Sequence, residues 1–529
     1  LYDTKEPVML RTIRIISQCV FFLVFVILLF FLNNQNFAHR LQTEIFLQLN
    51  PLVALLSSIA SRKVIWALLP GAVVVTVVTM LLGRVFCGWI CPLGAAIDFS
   101  DHFIIGKARN ISRRPRIYIQ RLKYVLLLFL AVLSMFGVLV PFFMDPISIA
   151  TRISAIIIDP SLQSIKALSG NVVNDFSNLF SVEKKTGQIL SIVIPGSFAS
   201  LFIFIAVFIG GFWDRRFWCQ YVCPTGAFLG LLSRFPLLRR FVHDDKCNSC
   251  HACATRQCPV RAINHDSIKL TSSAECIVCG VCSNNRRECT SFAFGKTKAA
   301  PVQPPLLARR HFITGVLAGV LAPSVLRGTG ADNVLQVQPI RPPGSLPEEE
   351  FLTRCIACGQ CMKACPNHAL HPCGFIDGLT KVNTPRLVPS IGYCEPGCTA
   401  CTHVCPTVAI RPVQAQDKPY IKIGTAVVNR NDCIAWRGEM KCLVCKTHCP
   451  YQAIEVQDIE CGELTQSGPV IDKELCTGCG ICEKYCAVSS NPAIKVHVYG
   501  ERRISDGPFI TDKKRNRISQ KRKSNQESQ

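Results

Sequence analysis

Twenty-four of the 31 cysteines fall into six groups of four. Cys355, Cys358, Cys361 and Cys365 precede Pro366 with the spacing C-x2-C-x2-C-x3-C-P of bacterial iron–sulfur proteins. Cys476, Cys479, Cys482 and Cys486 repeat that spacing, with Ala487 in place of the proline. Cys394, Cys398, Cys401, Cys405 and Cys433, Cys442, Cys445, Cys449 keep the pattern with a longer first gap. Cys247, Cys250, Cys253, Cys258 and Cys276, Cys279, Cys282, Cys289 lengthen the last gap instead. Disulfide scaffolds do not repeat C-x2-C-x2-C, and zinc sites favour two separated pairs. The spacing therefore predicts six [4Fe–4S] clusters and an electron carrier. The string Cys247-Asn248-Ser249-Cys250-His251 matches a haem attachment site, but its cysteines already belong to a cluster motif.

Hydrophobicity is concentrated in the first half. Four uncharged apolar stretches, Ile15–Leu32, Val64–Leu82, Tyr124–Met144 and Ile189–Trp213, are long enough to cross a bilayer. The loop 83–123 carries eight lysines and arginines, against three in 33–63 and four in 145–188, and 214–243 carries five. The positive-inside rule then puts the N-terminus, the loop 83–123 and the segment after Trp213 in the cytoplasm. Much of the formal charge of +23 is accounted for in this way, and nothing in the chain resembles a nucleic-acid module. No histidine lies within the four spans, so no bis-histidine haem is expected there.

A fifth apolar stretch, Phe312–Leu326, follows the pair Arg309-Arg310. The pattern resembles a twin-arginine export signal, although an ordinary basic flank on a short helix would look alike. With no A-x-A site after Leu326, the segment is expected to remain as a helix, with the four-cluster domain on the other side of the membrane. Thr329–Glu350 reads as a linker, and Lys513–Gln529 as a disordered basic tail. The chain starts at Leu1, as expected if upstream residues are missing or the start codon is unusual.

The membrane half also contains an internal repeat. Arg84-Val85-Phe86-Cys87-Gly88-Trp89-Ile90-Cys91-Pro92 aligns with Arg216-Phe217-Trp218-Cys219-Gln220-Tyr221-Val222-Cys223-Pro224. Two such C-x3-C-P pairs meeting around one site would present four thiolates. A cofactor, thiol redox chemistry and a structural role are all open at this level. Cys19 reads as ordinary core, and Cys373 and Cys461 lie outside every motif.

At this point the first 300 residues resemble the NapH family of membrane ferredoxins, and those from about 306 the NapG/MauM family of exported ferredoxins. The resemblance implies a quinol dehydrogenase module that draws electrons from menaquinol or ubiquinol and delivers them to a periplasmic reductase or c-type cytochrome. It also implies an exchange of final cysteines between motifs. Cys355, Cys358 and Cys361 would join Cys486, and Cys476, Cys479 and Cys482 would join Cys365. Cys394, Cys398 and Cys401 would join Cys449, and Cys433, Cys442 and Cys445 would join Cys405. In the first half, Cys247, Cys250 and Cys253 would join Cys289, and Cys276, Cys279 and Cys282 would join Cys258.

The expected architecture is an α-helical membrane bundle of four spans plus a fifth, signal-like helix, carrying two α+β ferredoxin-type domains. The segments are a membrane module at 1–240, a cytoplasmic two-cluster domain at 241–300 and the signal-like helix at 306–328. A linker at 329–350, an exported four-cluster domain at 351–505 and a tail at 506–529 complete the chain. This places the protein in a bacterial inner membrane. Cys87, Cys91, Cys219 and Cys223 are candidate relay residues, Arg84 and Arg216 candidate anion or headgroup contacts, and Asp98 and Asp145 candidate proton acceptors. Two rival functions are a conduit fed by a cytoplasmic donor without quinol, and a maturation factor for an exported metalloenzyme.

Overall fold

Long runs of Leu, Ile, Val and Phe have no side chain with which to satisfy a backbone N–H or C=O, so they fold as helices, which pair those groups internally. The computed structural model describes residues 6–31, 44–105, 117–139, 144–158, 200–264, 267–283, 289–295, 309–331, 338–461, 464–488 and 491–527. The chain divides into two units. The first comprises 1–30, 43–153 and 199–328, and the second is built mainly from 329–529.

In the first unit the helix Glu6–Phe31 contains the first expected span, and its segment Leu10–Phe30 is long and apolar enough to cross a membrane. Among the described residues it alone is both long enough and apolar enough. The second expected span is a helix only over Leu69–Leu82, which begins at a Pro70 start and ends at Gly83, where φ is +85°. The third runs over Leu122–Met135 and stops at Gly137, φ +75°, earlier than expected. The fourth is helical over Ser200–Trp213, and residues 189–199 lie outside the described ones. A further apolar helix, Pro51–Ser61, lies within the segment 33–63 that is expected to be a loop. Asn50 caps it by accepting the Leu52 N–H at 3.1 Å, and Pro51 takes the first turn, where no N–H is required. Cys19 is exposed on its helix rather than part of the core.

The signal-like segment forms the helix Arg309–Ala331. Gly315 and Gly319 share one face and lie against Val125, Leu128, Phe129 and Val132 of Leu122–Met135. A Cβ on Gly319 would fall 2.7 Å from Val132 Cβ, so the small residues let two helix backbones approach closely.

Three ferredoxin modules follow one plan. In the first, β1 (Leu238–Val242) pairs antiparallel with β2 (Thr290–Phe294) outside the two motifs, and an Ile263–Thr271 bridge lies between them. In the second, a Ser345–Ile410 bridge is outermost, and β3 (Leu370–Pro372) pairs with β4 (Pro385–Leu387) within. In the third, β5 (Thr425–Val428) pairs with β8 (Ile494–His497) around the hairpin of β6 (Ile454–Cys461) and β7 (Leu464–Ile471). The expected four-cluster domain is thus two two-cluster modules in tandem, and the second unit carries both.

Two boundaries differ from expectation. The last part of the supposed linker belongs to the fold: Leu346 is fully buried, and buried Arg341 binds Glu348 at 2.6 Å and the Pro385 carbonyl at 2.7 Å. The supposed disordered tail forms the helix Asp512–Glu527. Its one apolar side chain, Ile518, is buried with Ala453, Leu475 and Ile510. Arg522 lies over the rings of Tyr420 and Tyr451, and Lys521 pairs with Asp472 at 2.6 Å. Basic composition hid this docking because the stems of arginine and lysine cover apolar and aromatic surface while their heads stay solvated. Ile518→Asp should release the helix at a cost on the order of 2–4 kcal/mol. Limited trypsinolysis of the full chain would then cut first between Lys513 and Lys523; a wild-type digestion pattern would contradict this docking.

Candidate iron-sulfur sites

The backbone around each motif is bent in the same places. In the four motifs that begin C-x2-C-x2-C, the residue before the second cysteine has positive φ: Ser249 (50°), Val278 (51°), Ala357 (50°) and Gly478 (79°). The residue after it does too: His251, Gly280, Gly359 and Gly480. Four of these eight positions, Ser249, His251, Val278 and Ala357, hold Cβ-bearing chains where glycine is favoured, so the surrounding fold enforces the bend. It wraps three thiols around one point. A third left-handed residue lies three places beyond the last cysteine in Arg261, His368, Val408 and Gln452. That turn aims a backbone N–H back at the sulfur: Ala262 N to Cys258 Sγ at 3.2 Å, Ala369 N to Cys365 Sγ at 3.3 Å, and Ala453 N to Cys449 Sγ at 3.4 Å.

Four of the quartets line open-mouthed pockets. One is lined by Cys247, Cys250, Cys253 and Cys289, as expected. Cys258 lies within electrostatic reach of Cys276 and Cys279, which agrees with the other expected pairing of the first module. In the second unit the expected exchange does not occur. Cys355, Cys358 and Cys361 share their cavity with Cys405, not Cys486. Cys433, Cys442 and Cys445 share theirs with Cys486, not Cys405. Cys476, Cys479 and Cys482 are joined by Cys449, not Cys365. Cys365 instead sits within reach of Cys394, Cys398 and Cys401. The physical reason is the tandem fold: each inner hairpin returns the chain to the neighbouring motif, so exchange occurs within a module. The short helix Gln360–Lys363 packs on Ala400–His403, and Val444–Thr447 on Ile481–Lys484.

These quartets suit cubane clusters. Among the described residues no three Cys, His, Asp or Glu side chains converge as a single metal ion requires, whereas the four thiolates of a cubane ligate four different irons. With this pairing, Cys358→Ser and Cys405→Ser should alter the same EPR signal, and Cys433→Ser a different one. Coincidence of the Cys405 and Cys433 signals would restore the exchange between modules.

Two cations approach the sulfurs. Arg240 Nη2 lies 3.6 Å from Cys253 Sγ. Lys418 is buried and spends all three N–H bonds at one cluster site: on Cys394 Sγ at 3.0 Å, Glu395 O at 3.2 Å and Cys398 O at 3.1 Å. Burial pulls this amine down, but the Cys394 charge and hydrogen bond outweigh it and hold it above the ordinary lysine range. The Cys394 N–H donates in turn to the Cys479 carbonyl at 2.8 Å, so two quartets from successive modules adjoin here. A cation and N–H donor at a sulfur favours the reduced, more negative cluster. Lys418→Met should therefore lower one cluster potential by on the order of 60 mV, the one-electron equivalent of ~1.4 kcal/mol. An EPR redox titration reads this, and unchanged potentials would contradict it. No sequence signal marks Lys418, which lies well outside the motifs.

The C-x3-C-P repeats form matching structures. Phe86–Ile90 and Trp218–Val222 are single π turns, and Cys91 and Cys223 have nearly equal backbone angles (φ −60°, ψ 118° and φ −61°, ψ 112°). Each cysteine opens a nine-residue helix, Pro92–Ser100 or Pro224–Leu232. Arg84 and Arg216 are not surface anion contacts: both are almost fully buried. Arg84 Nη1 donates to Glu275 and to the Ala274 carbonyl, both at 3.0 Å, and Lys123 and Tyr124 complete the Glu275 site. Arg216 grips Asp98 through Nε and Nη2, both at 2.7 Å, and Arg14 and Gln18 bind the same carboxylate. Burial raises the Asp98 carboxyl, but Arg216 and Arg14 overcome this and hold it at about 2, which leaves it a poor proton acceptor at neutral pH. Asp145 is buried and accepts from Ser148 N and Thr225 Oγ1, both at 2.9 Å, as a helix-start residue. No local signal in the sequence marks Glu275, Lys123 and Arg14, because their carboxylate or cationic partners are more than 80 residues away.

The 4Fe-4S binding domain family matches residues 64–112 and 197–243, and a second 4Fe-4S binding domain family matches 351–371. The methylamine utilization ferredoxin-type protein MauM of Methylophilus methylotrophus is 37% identical over 155 residues, covering 28% of this chain and 67% of the relative. Ferredoxin-type protein NapG of Escherichia coli is 36% identical over 167 residues, 30% of this chain and 69% of the relative. The methylamine utilization ferredoxin-type protein MauN of Paracoccus denitrificans is 25% identical over 259 residues, 47% of this chain and 75% of the relative. No solved structure matches. With these likenesses beside the bent motifs and the cysteine quartets, the chain belongs to the family of the ferredoxin-type proteins NapG and MauM.

Proposed function

We propose that this chain is a quinol dehydrogenase component of a bacterial inner membrane, with a NapH-like first half joined to the NapG/MauM-type second half. The observation that carries the reading is the set of six cysteine quartets in three modules, in a chain whose first half is rich in apolar helices. Six [4Fe–4S] clusters held there supply one-electron transfer when bound. The cysteines fix the spacing of the sites, and the tandem fold makes two quartets adjoin at Cys394 and Cys479. Arg240 and Lys418 set the charge at individual sulfurs.

On this reading the apolar stretches Ile15–Leu32, Val64–Leu82, Tyr124–Met144 and Ile189–Trp213 cross the membrane, with the Cys247–Cys289 module on the cytoplasmic side. Arg309-Arg310 and the helix after them act as a retained twin-arginine signal, which carries the last two modules to the periplasm. The electron donor is menaquinol or ubiquinol and the acceptor a periplasmic reductase or c-type cytochrome. The likeness to the ferredoxin-type proteins MauM, NapG and MauN supports the iron–sulfur electron transfer in this reading.

The test is direct. Full-length protein, purified anaerobically in lipid, is mixed with a menaquinol analogue while low-temperature EPR follows cluster reduction. Reduction within the mixing time supports the dehydrogenase. Reduction by dithionite and not by quinol ends it, and points to a conduit fed by a cytoplasmic donor or to a maturation factor.

A further inference from the structure

The two segments that match the 4Fe-4S binding domain family, 64–112 and 197–243, contain two cysteines each: Cys87 with Cys91, and Cys219 with Cys223. Two thiols are too few for an iron–sulfur centre, and the six motif quartets lie outside both segments. The fold removes the shortage. Cys87, Cys91, Cys219 and Cys223 lie within electrostatic reach of one another. Each of Cys91 and Cys223 begins a nine-residue helix, where backbone N–H groups favour a thiolate, and Cys223 Sγ accepts the Gly226 N–H at 3.2 Å.

The arginines of the two repeats are exchanged across this site. Arg216 of the second repeat donates to the Cys87 carbonyl of the first at 3.1 Å and lies beside Gly94. Arg84 of the first repeat approaches Gly226 of the second so closely that a Cβ there would be 2.8 Å from its Nη2. Charge is unbalanced in the same way on both sides. Arg84 and Lys123 share the single carboxylate of Glu275, and Arg216 and Arg14 share that of Asp98. Each group keeps one positive charge in excess, so together they leave a surplus of two beside four thiols, Cys91 and Cys223 buried and Cys87 and Cys219 half-buried. Arg84 Nε is buried with no hydrogen-bond partner. A centre bound by four thiolates carries roughly two negative charges in its oxidised form and offers sulfurs as acceptors, which supplies what both features lack.

We propose that Cys87, Cys91, Cys219 and Cys223 together ligate a seventh iron–sulfur centre, shared between the two repeats and counterbalanced by Arg84 and Arg216. It adjoins the first module: Cys87 packs against the cluster of side chains that includes Ile277 and Cys279. Such a centre would give the C-x3-C-P pairs an electron-transfer role with no disulfide step.

The full chain, purified anaerobically, tests this by iron and acid-labile sulfide content with Mössbauer spectroscopy. Wild-type protein should hold iron beyond what the six motif quartets bind. Replacing all four cysteines by serine should remove about two to four irons per chain and leave the remaining EPR signals unchanged. Equal iron in a variant that elutes as wild type on gel filtration overturns the proposal. Should the fourfold variant fail to fold, Cys87→Ser alone should change one Mössbauer component and spare the rest; an unchanged spectrum overturns it. A Cys87–Cys91 or Cys219–Cys223 disulfide found by mass spectrometry of the native protein also overturns it. Quinol oxidation is read separately, so extra iron without quinol activity sinks only the dehydrogenase, and the reverse result sinks only the seventh centre.

Discussion

A buried thiolate is unfavourable unless something shares its charge, and this fold is arranged to share it. Backbone N–H groups do so first. The residue four places beyond the final cysteine donates to sulfur in all three modules, through a left-handed residue that the turn forces into place. Cationic side chains do so next, at Cys253 and Cys394. Iron completes the set. Strands are short and helices brief in the modules because little else is needed to hold the chain once each quartet is closed, much as a structural metal stabilises a domain too small for a large core.

How much of this could be read from the residues depends on the range of the interaction. Local spacing is decisive for the motifs: three cysteines at C-x2-C-x2-C force a wrap, and the structure has that wrap. Which distant cysteine completes each quartet is a topological matter. The hairpin β6–β7 lies between Cys449 and Cys476, and its return places Cys449 beside the following motif, so pairing follows chain folding and not spacing. The same limit explains Lys418, Glu275 and Arg14, whose partners are remote in sequence. Pro51–Ser61 is the opposite case, since Asn50-Pro51 is a legible helix start that a search for bilayer-length segments passes over. Composition misleads for the tail, where one buried isoleucine and cation–π contacts outweigh a run of charges.

The paired networks around Arg84 and Arg216 extend the same physics into the first half. A buried guanidinium without a partner is costly, and one carboxylate shared by two cations only partly relieves it. Asp98 and Glu275 therefore organise the junction between repeats and module, and their ionisation is committed to that purpose. Asp98, held as a carboxylate by two guanidinium groups, is a poor group for taking up a proton.

The inner hairpins contribute no ligand. One module manages with a single Ile263–Thr271 bridge, whereas another spends two eight-residue strands on the same connection. Length can thus be added or lost between the two motifs of a module without moving a sulfur. An insertion between the two motifs of a module could therefore add surface for a protein partner while the electron path stays as it was.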